Sequence, residues 1–338
     1  MNISLELFED SARFRYPPEH EACMEALDRL LDDREAGRIG GKRYMDGLQD
    51  LAGRHPWFID AHAHVGNALL NRGRTRPALD AYLKGLALGE AAIPEGYAGL
   101  IEWSCIENRP FFRAAHGAVL CHLHLRQWDE AIDRMNAMLA LNPRDNQGIR
   151  YILGPAFLRA GRPDEARALL VEFRDGDPSL QYELGLLRLV EGKFAAAATS
   201  LRHGFSGNGY IAEMICGTPD PMPMTIWHGS GFSDPDSAKD YMRLFGDLWN
   251  DSPGATEFVR WLHTHPKVMA ERTAVLECRE ALLWTRDVES RRTIVDRLGF
   301  LADSIDDSLS DSVVAQRTDR AGNRVWPWLH AASCRRPE

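Results

Sequence analysis

No run of apolar residues in this 338-residue chain approaches the roughly 18–20 needed to cross a bilayer, so no membrane span is expected. Cysteine is sparse. The six, at 23, 105, 121, 216, 278 and 334, include no C-x-x-C pair, which leaves out ribbon-type zinc sites and dithiol motifs and fits buried, reduced thiols in a cytoplasmic protein. A basic surplus is missing too: 40 Lys and Arg stand against 49 Asp and Glu, a formal net charge of −9, which speaks against generic nucleic-acid binding. The first ten residues carry neither a basic leader nor an apolar stretch, so no secretory signal is expected. Gly-rich phosphate loops, G-x-S-x-G, H-E-x-x-H and spaced catalytic carboxylates are lacking. Gly229-Ser230-Gly231 has no strand before it and reads as loop. Neither a catalytic residue nor a cofactor is expected.

What the chain does contain is helical periodicity punctuated by small residues. The clearest window holds Gly154, Gly161, Ala166, Leu170 and Pro178. It spells helix, turn, helix, stop. The same frame returns as Gly66, Gly73, Ala78 and Tyr82, then as Val119, Arg126, Ala131, Met135 and Pro143, and finally as Gly185, Gly192, Ala197 and Leu201. A small residue is required where two helices of a hairpin cross, because a larger one would hold the axes beyond the usual 8–10 Å. Glycine at 73, 161 and 192 ends the first helix, and proline at 143 and 178 stops the second. Ala131, Ala166 and Ala197 are spaced by 35 and 31 residues, whereas Ala78 to Ala131 spans 53, which predicts an insertion at 90–109.

In the segments Arg-Gln-Trp-Asp-Glu-Ala (126–131) and Gly-Arg-Pro-Asp-Glu-Ala (161–166) the chain resembles the tetratricopeptide-repeat family, whose period is roughly 34 residues. Asn108-Arg109-Pro110-Phe111 and the run Asn142-Pro143 to Arg150-Tyr151 look like a bacterial subset of it. The resemblance covers about residues 40–210 and implies an all-α, right-handed solenoid of helical hairpins. Residues 1–18 are expected to form an irregular N-terminal arm, because Tyr16-Pro17-Pro18 cannot lie within a helix. Residues 19–56 read as a degenerate capping hairpin, and 57–210 as the repeats. Glycine and proline then mark 211–236 as a linker, 237–310 regains helical pattern as a C-terminal cap, and 311–338 is a tail, docked or mobile.

The resemblance implies a protein- or peptide-binding scaffold whose first helices line the binding face. On that frame the groove candidates are Asn67, Asn71, Arg113, His116, His124, Tyr151, Arg159 and Tyr182. Asn67 matches part of the family's carboxylate clamp, while the expected lysine positions carry Ala63 and Arg113, so a carboxylate-bearing segment is the implied partner. Asn108, Arg109, Asp145, Asn146 and Arg150 read as a capping and ion-pair network tying the insertion to the second and third repeats. The alternative is an accessory subunit of an enzyme holding a metal through His64, His116 and Cys121. Against it, His62 and His64, like His122 and His124, lie two apart and point to different sides of a helix.

Overall fold

The structure, a computed structural model, describes residues 3–333, most of which are helical, with almost no sheet. The chain divides into two compact units within one helix, between Ala156 and Phe157. The first unit opens with strands β1 (Ser4–Leu7) and β2 (Ala12–Arg15), followed by helices α1 (His20–Glu35), α2 (Gly41–Arg54), α3 (Ile59–Leu70) and α4 (Thr75–Glu90). A non-helical stretch then leads through a 3-10 turn (Ile106–Asn108) into α5 (Arg109–His124), α6 (Trp128–Leu141) and α7 (Ile149–Arg159). Pro155 lies inside α7, where it removes one ladder donor beside the point at which the units divide.

The hairpins form as the small residues dictate. Ala78, Ala131, Ala166 and Ala197 are all fully buried. A side chain at Gly66 on α3 would meet the Tyr82 ring at 2.8 Å, and one at Gly117 on α5 would collide with the other part of the same ring. Tyr82, on α4, is thus received by a glycine on each neighbouring helix. Gly73 turns with φ +71°, and Arg126, at the equivalent place in the next hairpin, takes the same left-handed conformation at φ +58°.

The N-terminal arm is not irregular. Ser4 pairs with Arg15 and Leu7 with Ala12 in an antiparallel ladder, and Glu6 accepts from Arg13 at 2.6 Å and Arg15 at 2.9 Å. Ala12 and Phe14 alternate inward, which is the period of a strand. Buried Asn108 holds the hairpin in place: its Oδ1 accepts from Phe14 N at 3.0 Å, and its Nδ2 donates to Ala12 O and Glu102 O, both at 3.0 Å. The insertion is stitched to the same hairpin by Ala12 N to Leu100 O and Leu100 N to Asp10 O.

The second unit continues with α8 (Pro163–Phe173), α9 (Pro178–Val190), α10 (Phe194–Gly207) and α11 (Gly209–Ile215). After a long connection come α12 (Pro235–Asp251), α13 (Ala255–His263), α14 (Pro266–Trp284), α15 (Val288–Asp303) and α16 (Asp307–Val314). A small hairpin, β3 (Arg317–Thr318) and β4 (Arg324–Val325), precedes α17 (Pro327–Ser333). The expected linker at 211–236 therefore begins inside a helix. Asn208 caps α11 by accepting from Tyr210 N, and its amide donates to Phe232 O and Asp234 O, while Tyr210 Oη accepts from Met224 N. These bonds pin the connection, which glycine and proline content alone made look free.

Within 311–338, Val313 and Val314 are buried on α16 and Trp328 is buried against Phe194 and Phe258, at ring separations of 5.0 and 4.8 Å. The described part of the tail is docked. Residues 334–338, with Cys334, lie outside the described residues, as do residues 1–2 of the arm.

Two stability measurements check this packing. Gly299, on the open side of α15, has nothing within 4 Å of the place an added methyl would take, so Gly299→Ala should gain up to about 1 kcal/mol from helix propensity. Gly117→Ala makes the same chemical change in a helix and should instead lose about 1–3 kcal/mol through the collision with Tyr82. Equal gains in denaturant melts would refute the close-approach argument. Asn108→Ala strands the Phe14 N–H and the Ala12 carbonyl, while Glu102 O keeps its bond from Cys105 N, and should lower stability by about 2–3 kcal/mol, read by the same melts.

Candidate functional site

The first helices of two successive hairpins present polar side chains to one cleft of about 420 Å3 in the first unit. From α3 come His64 and Asn67, three apart and so on one face; from α5 come Arg113, His116 and Leu120, again at helical spacing. Tyr82 and Gly117 form part of the wall, so the contact that sets the spacing of the helices also shapes the cleft. Trp103 reaches in from the insertion, and Asn146 and Gln147 from the connection between α6 and α7.

These loop residues are held from behind. Arg109 donates from Nε to Trp103 O at 3.2 Å, and its guanidinium sits 5.4 Å from the centroid of the Trp103 ring. Asn142 accepts from Trp103 N at 3.4 Å and donates to Asn146 Oδ1 at 3.4 Å. Asp145 adopts φ +49° and uses both carboxylate oxygens on the start of α7, accepting from Ile149 N at 2.7 Å and Arg150 N at 2.9 Å. Arg150 answers with an ion pair to Asp145 at 3.5 Å and a hydrogen bond to Pro143 O at 3.0 Å. Gln147 donates to Phe112 O at 3.2 Å, which fixes the amide against α5.

Among the described residues, Arg113 is the one cation lining the cleft at neutral pH. Its Nη1 donates to the carboxylate of Asp60, which is fully buried on α3, and its side chain is 37% exposed. A guanidinium has five N–H donors, so anchoring one leaves others for a ligand. His64 and His116 have lowered pKa values, in both cases chiefly because burial penalises the charged ring; Asp60 opposes this at His64, and Asp145 at His116. Both rings are therefore neutral at pH 7. With Asp60 balancing Arg113, the cleft carries little net charge and is rich in amide and imidazole groups that can donate and accept.

Asn67, Arg113 and His116 of the predicted groove come together, joined by His64. Asn71 sits exposed at the end of α3, its amide 3.4 Å from Asn67 Oδ1. His124 is exposed at the end of α5, with Nδ1 2.7 Å from Leu120 O. Tyr151 lies half-buried on α7 beside Gly148 and does not line the cleft. Two candidates have other roles. Arg159 pairs with Asp247 and Asp251 in the second unit, with its side chain only 10% exposed. Tyr182 is fully buried there, its Oη donating to Asn208 O at 2.6 Å and accepting from Ala212 N at 3.2 Å. A glycine opposite it, Gly204, draws the ring inward where the repeat frame alone suggested an outward face.

The metal alternative does not assemble. His64 and His116 share the cleft, but Cys121 lies buried outside its lining, and burial pushes the pKa of its thiol up to about 12, so it stays protonated. Among the described residues no three His, Cys, Asp or Glu side chains group as metal ligands. Sequence reasoning missed Trp103, Gln147 and the wall position of Tyr82. The first two lie in connections outside the repeat frame, so no periodicity pointed to them.

The tetratricopeptide repeat family model matches residues 117–179 and 151–202. No protein of curated function matches the sequence. Among solved structures, the chain is similar to MamA (residues 41 to the end) from Desulfovibrio magneticus RS-1, at 16% identity and a TM-score of 0.43, over 56% of this chain and 96% of that one. It is also similar to a tetratricopeptide repeat protein from Parabacteroides merdae, at 12% identity and a TM-score of 0.44, over 84% of this chain and all of the other. Both scores lie below 0.5, so the repeat signature carries the assignment. No helix among the described residues is long and apolar enough to cross a membrane. Repeats of this kind serve in general as protein-interaction scaffolds and are typically non-catalytic. Residues 117–202 thus carry the tetratricopeptide-repeat signature, within a chain whose described residues are built mainly of helices.

Proposed function

We propose that the protein is a non-catalytic adaptor that holds an extended peptide segment of a partner in the cleft between α3 and α5. The observation that carries this reading is the composition of the cleft wall. Asn67, Asn146 and Gln147 each offer both an acceptor and a donor, the pattern needed to meet a peptide's main chain, while Trp103 and Leu120 offer apolar surface to its side chains. Arg113, steadied by Asp60, adds a fork suited to a carboxylate on that segment. A cleft dominated by charge would favour a bare anion; here one cation stands among amides, which favours a chain with a single acidic group.

The test is selection of random peptides on the full chain, followed by calorimetric titration of the enriched sequence. Asn67→Ala and Gln147→Ala should each weaken binding about 5–10-fold with little change in melting temperature, since each removes roughly one hydrogen bond. Arg113→Gln should cost more for peptides bearing a carboxylate than for their amide counterparts. Peptides that bind equally well to all three variants would place the site elsewhere.

The histidines give a pH signature with a definite sign. Their pKa values are depressed in the free cleft, and a carboxylate arriving beside them raises them, so binding takes up protons. Affinity for an acidic peptide should therefore rise as pH falls from about 7.5 to about 6, and affinity for its amide analogue should not. An acidic peptide whose affinity stays flat over that interval would show that His64 and His116 do not face the bound group.

A further inference from the structure

In the second unit, α13, the turn into α14, strand β3 and helix α17 enclose a separate cleft of about 560 Å3, within the size range of small-molecule sites. Its walls are apolar and aromatic, with Trp261, Trp328 and Pro266 among them. Its charged lining runs against the character of the whole protein. The chain carries a net −9, yet Arg260, Lys267 and Arg317 face this cleft and Glu257 is the one carboxylate among its lining residues.

Two of these cations are uncommitted. Lys267 has only a long contact, 3.4 Å, to Ser312 Oγ, and neither it nor Arg317 has a carboxylate partner among the described residues. Arg260 is steadied by donating to Cys216 O at 3.1 Å. His265 sits between the charges and the tryptophans. Its Nδ1 accepts from Lys267 N at 3.3 Å and caps α14, and its ring meets Trp261 edge-on at 5.5 Å. With Nδ1 so used, the neutral ring carries its proton on Nε2 as a further donor. Burial first, then Arg317 and Lys267, lower the pKa of His265, so both cations act on the space that the ring occupies. Three cations against the single carboxylate of Glu257 leave an excess of positive charge, and a cleft with low-dielectric walls concentrates its field on what enters.

We propose that this cleft binds a small amphiphilic monocarboxylate, its anionic head among Lys267, Arg317 and Arg260 and its apolar body against Trp261 and Trp328. An inorganic anion would leave the aromatic walls unused. A neutral apolar molecule would leave the cations uncompensated. The site is independent of the peptide cleft of the first unit and does not rest on it.

The experiment is calorimetric titration of the full chain with decanoate, with decanol of equal chain length, and with inorganic phosphate. Decanoate should bind at least tenfold more tightly than either. The double variant Lys267→Glu, Arg317→Glu, with both positions exposed and so expected to fold, should abolish that preference. Ala331→Trp, which fills the cleft without altering charge, should remove decanoate binding, with circular dichroism confirming the fold. Decanol binding as tightly as decanoate, phosphate binding as tightly as decanoate, or decanoate binding that survives both variants would each overturn the proposal.

Discussion

One tyrosine ring received by two glycines governs the first unit. Tyr82 of α4 projects between α3 and α5, and each of those helices is bare where the ring arrives, at Gly66 and at Gly117. A methyl at either place would push a helix outward, and since interiors are close-packed, the displacement could not be absorbed locally. The second unit repeats the device with other residues: Leu201 fills the space left at Gly185, and Tyr182 the space left at Gly204. Burial of the alanines at 78, 131, 166 and 197 follows from the same constraint. Because Tyr82 and Gly117 also form part of the cleft wall, the packing contact also shapes the cleft.

Around this repeat the chain uses buried polar groups to fasten what the repeat does not specify. Asn108 satisfies three backbone groups of two separate segments, so the β-hairpin and the insertion become part of the same unit as α5. Asn208 does the same for the connection after α11. A buried amide with every partner in place specifies one arrangement, because any other would leave several of those groups without a bond. The cleft depends on this fastening: Trp103, backed by Arg109 and Asn142, is aromatic surface contributed by the insertion.

Electrostatics divides the two clefts by kind. In the first, Asp60 is buried beneath Arg113 and burial keeps His64 and His116 neutral, so polar groups of both senses dominate. In the second, Lys267 and Arg317, without carboxylate partners among the described residues, line the same cleft as Trp261 and Trp328, so charge and apolar surface act together. The first arrangement suits the alternating donors and acceptors of a polypeptide, the second a small molecule with one charged end.

The helical hairpins were legible in the sequence because their determinants are local and periodic: Gly66, Gly73, Ala78 and Tyr82 lie within one window, and a small residue at a crossing has the same meaning wherever it recurs. Part of the cleft was legible for that reason, since Asn67, Arg113 and His116 follow from helical spacing. Tyr182 and Arg159 were misplaced because the direction of a side chain depended on partners far along the chain, Asn208 for one and Asp247 for the other. The strand pair at the N-terminus and the pinned connection at 211–236 escaped notice because four alternating residues, or one asparagine, carry little signal until their partners are known. By itself, then, the sequence determined that the chain would pair helices and where it would turn, for these are short-range steric and backbone effects. Only the tertiary structure decided which polar side chains meet, because buried hydrogen bonds and charges are satisfied by residues up to about a hundred positions away, as Phe14 is by Asn108.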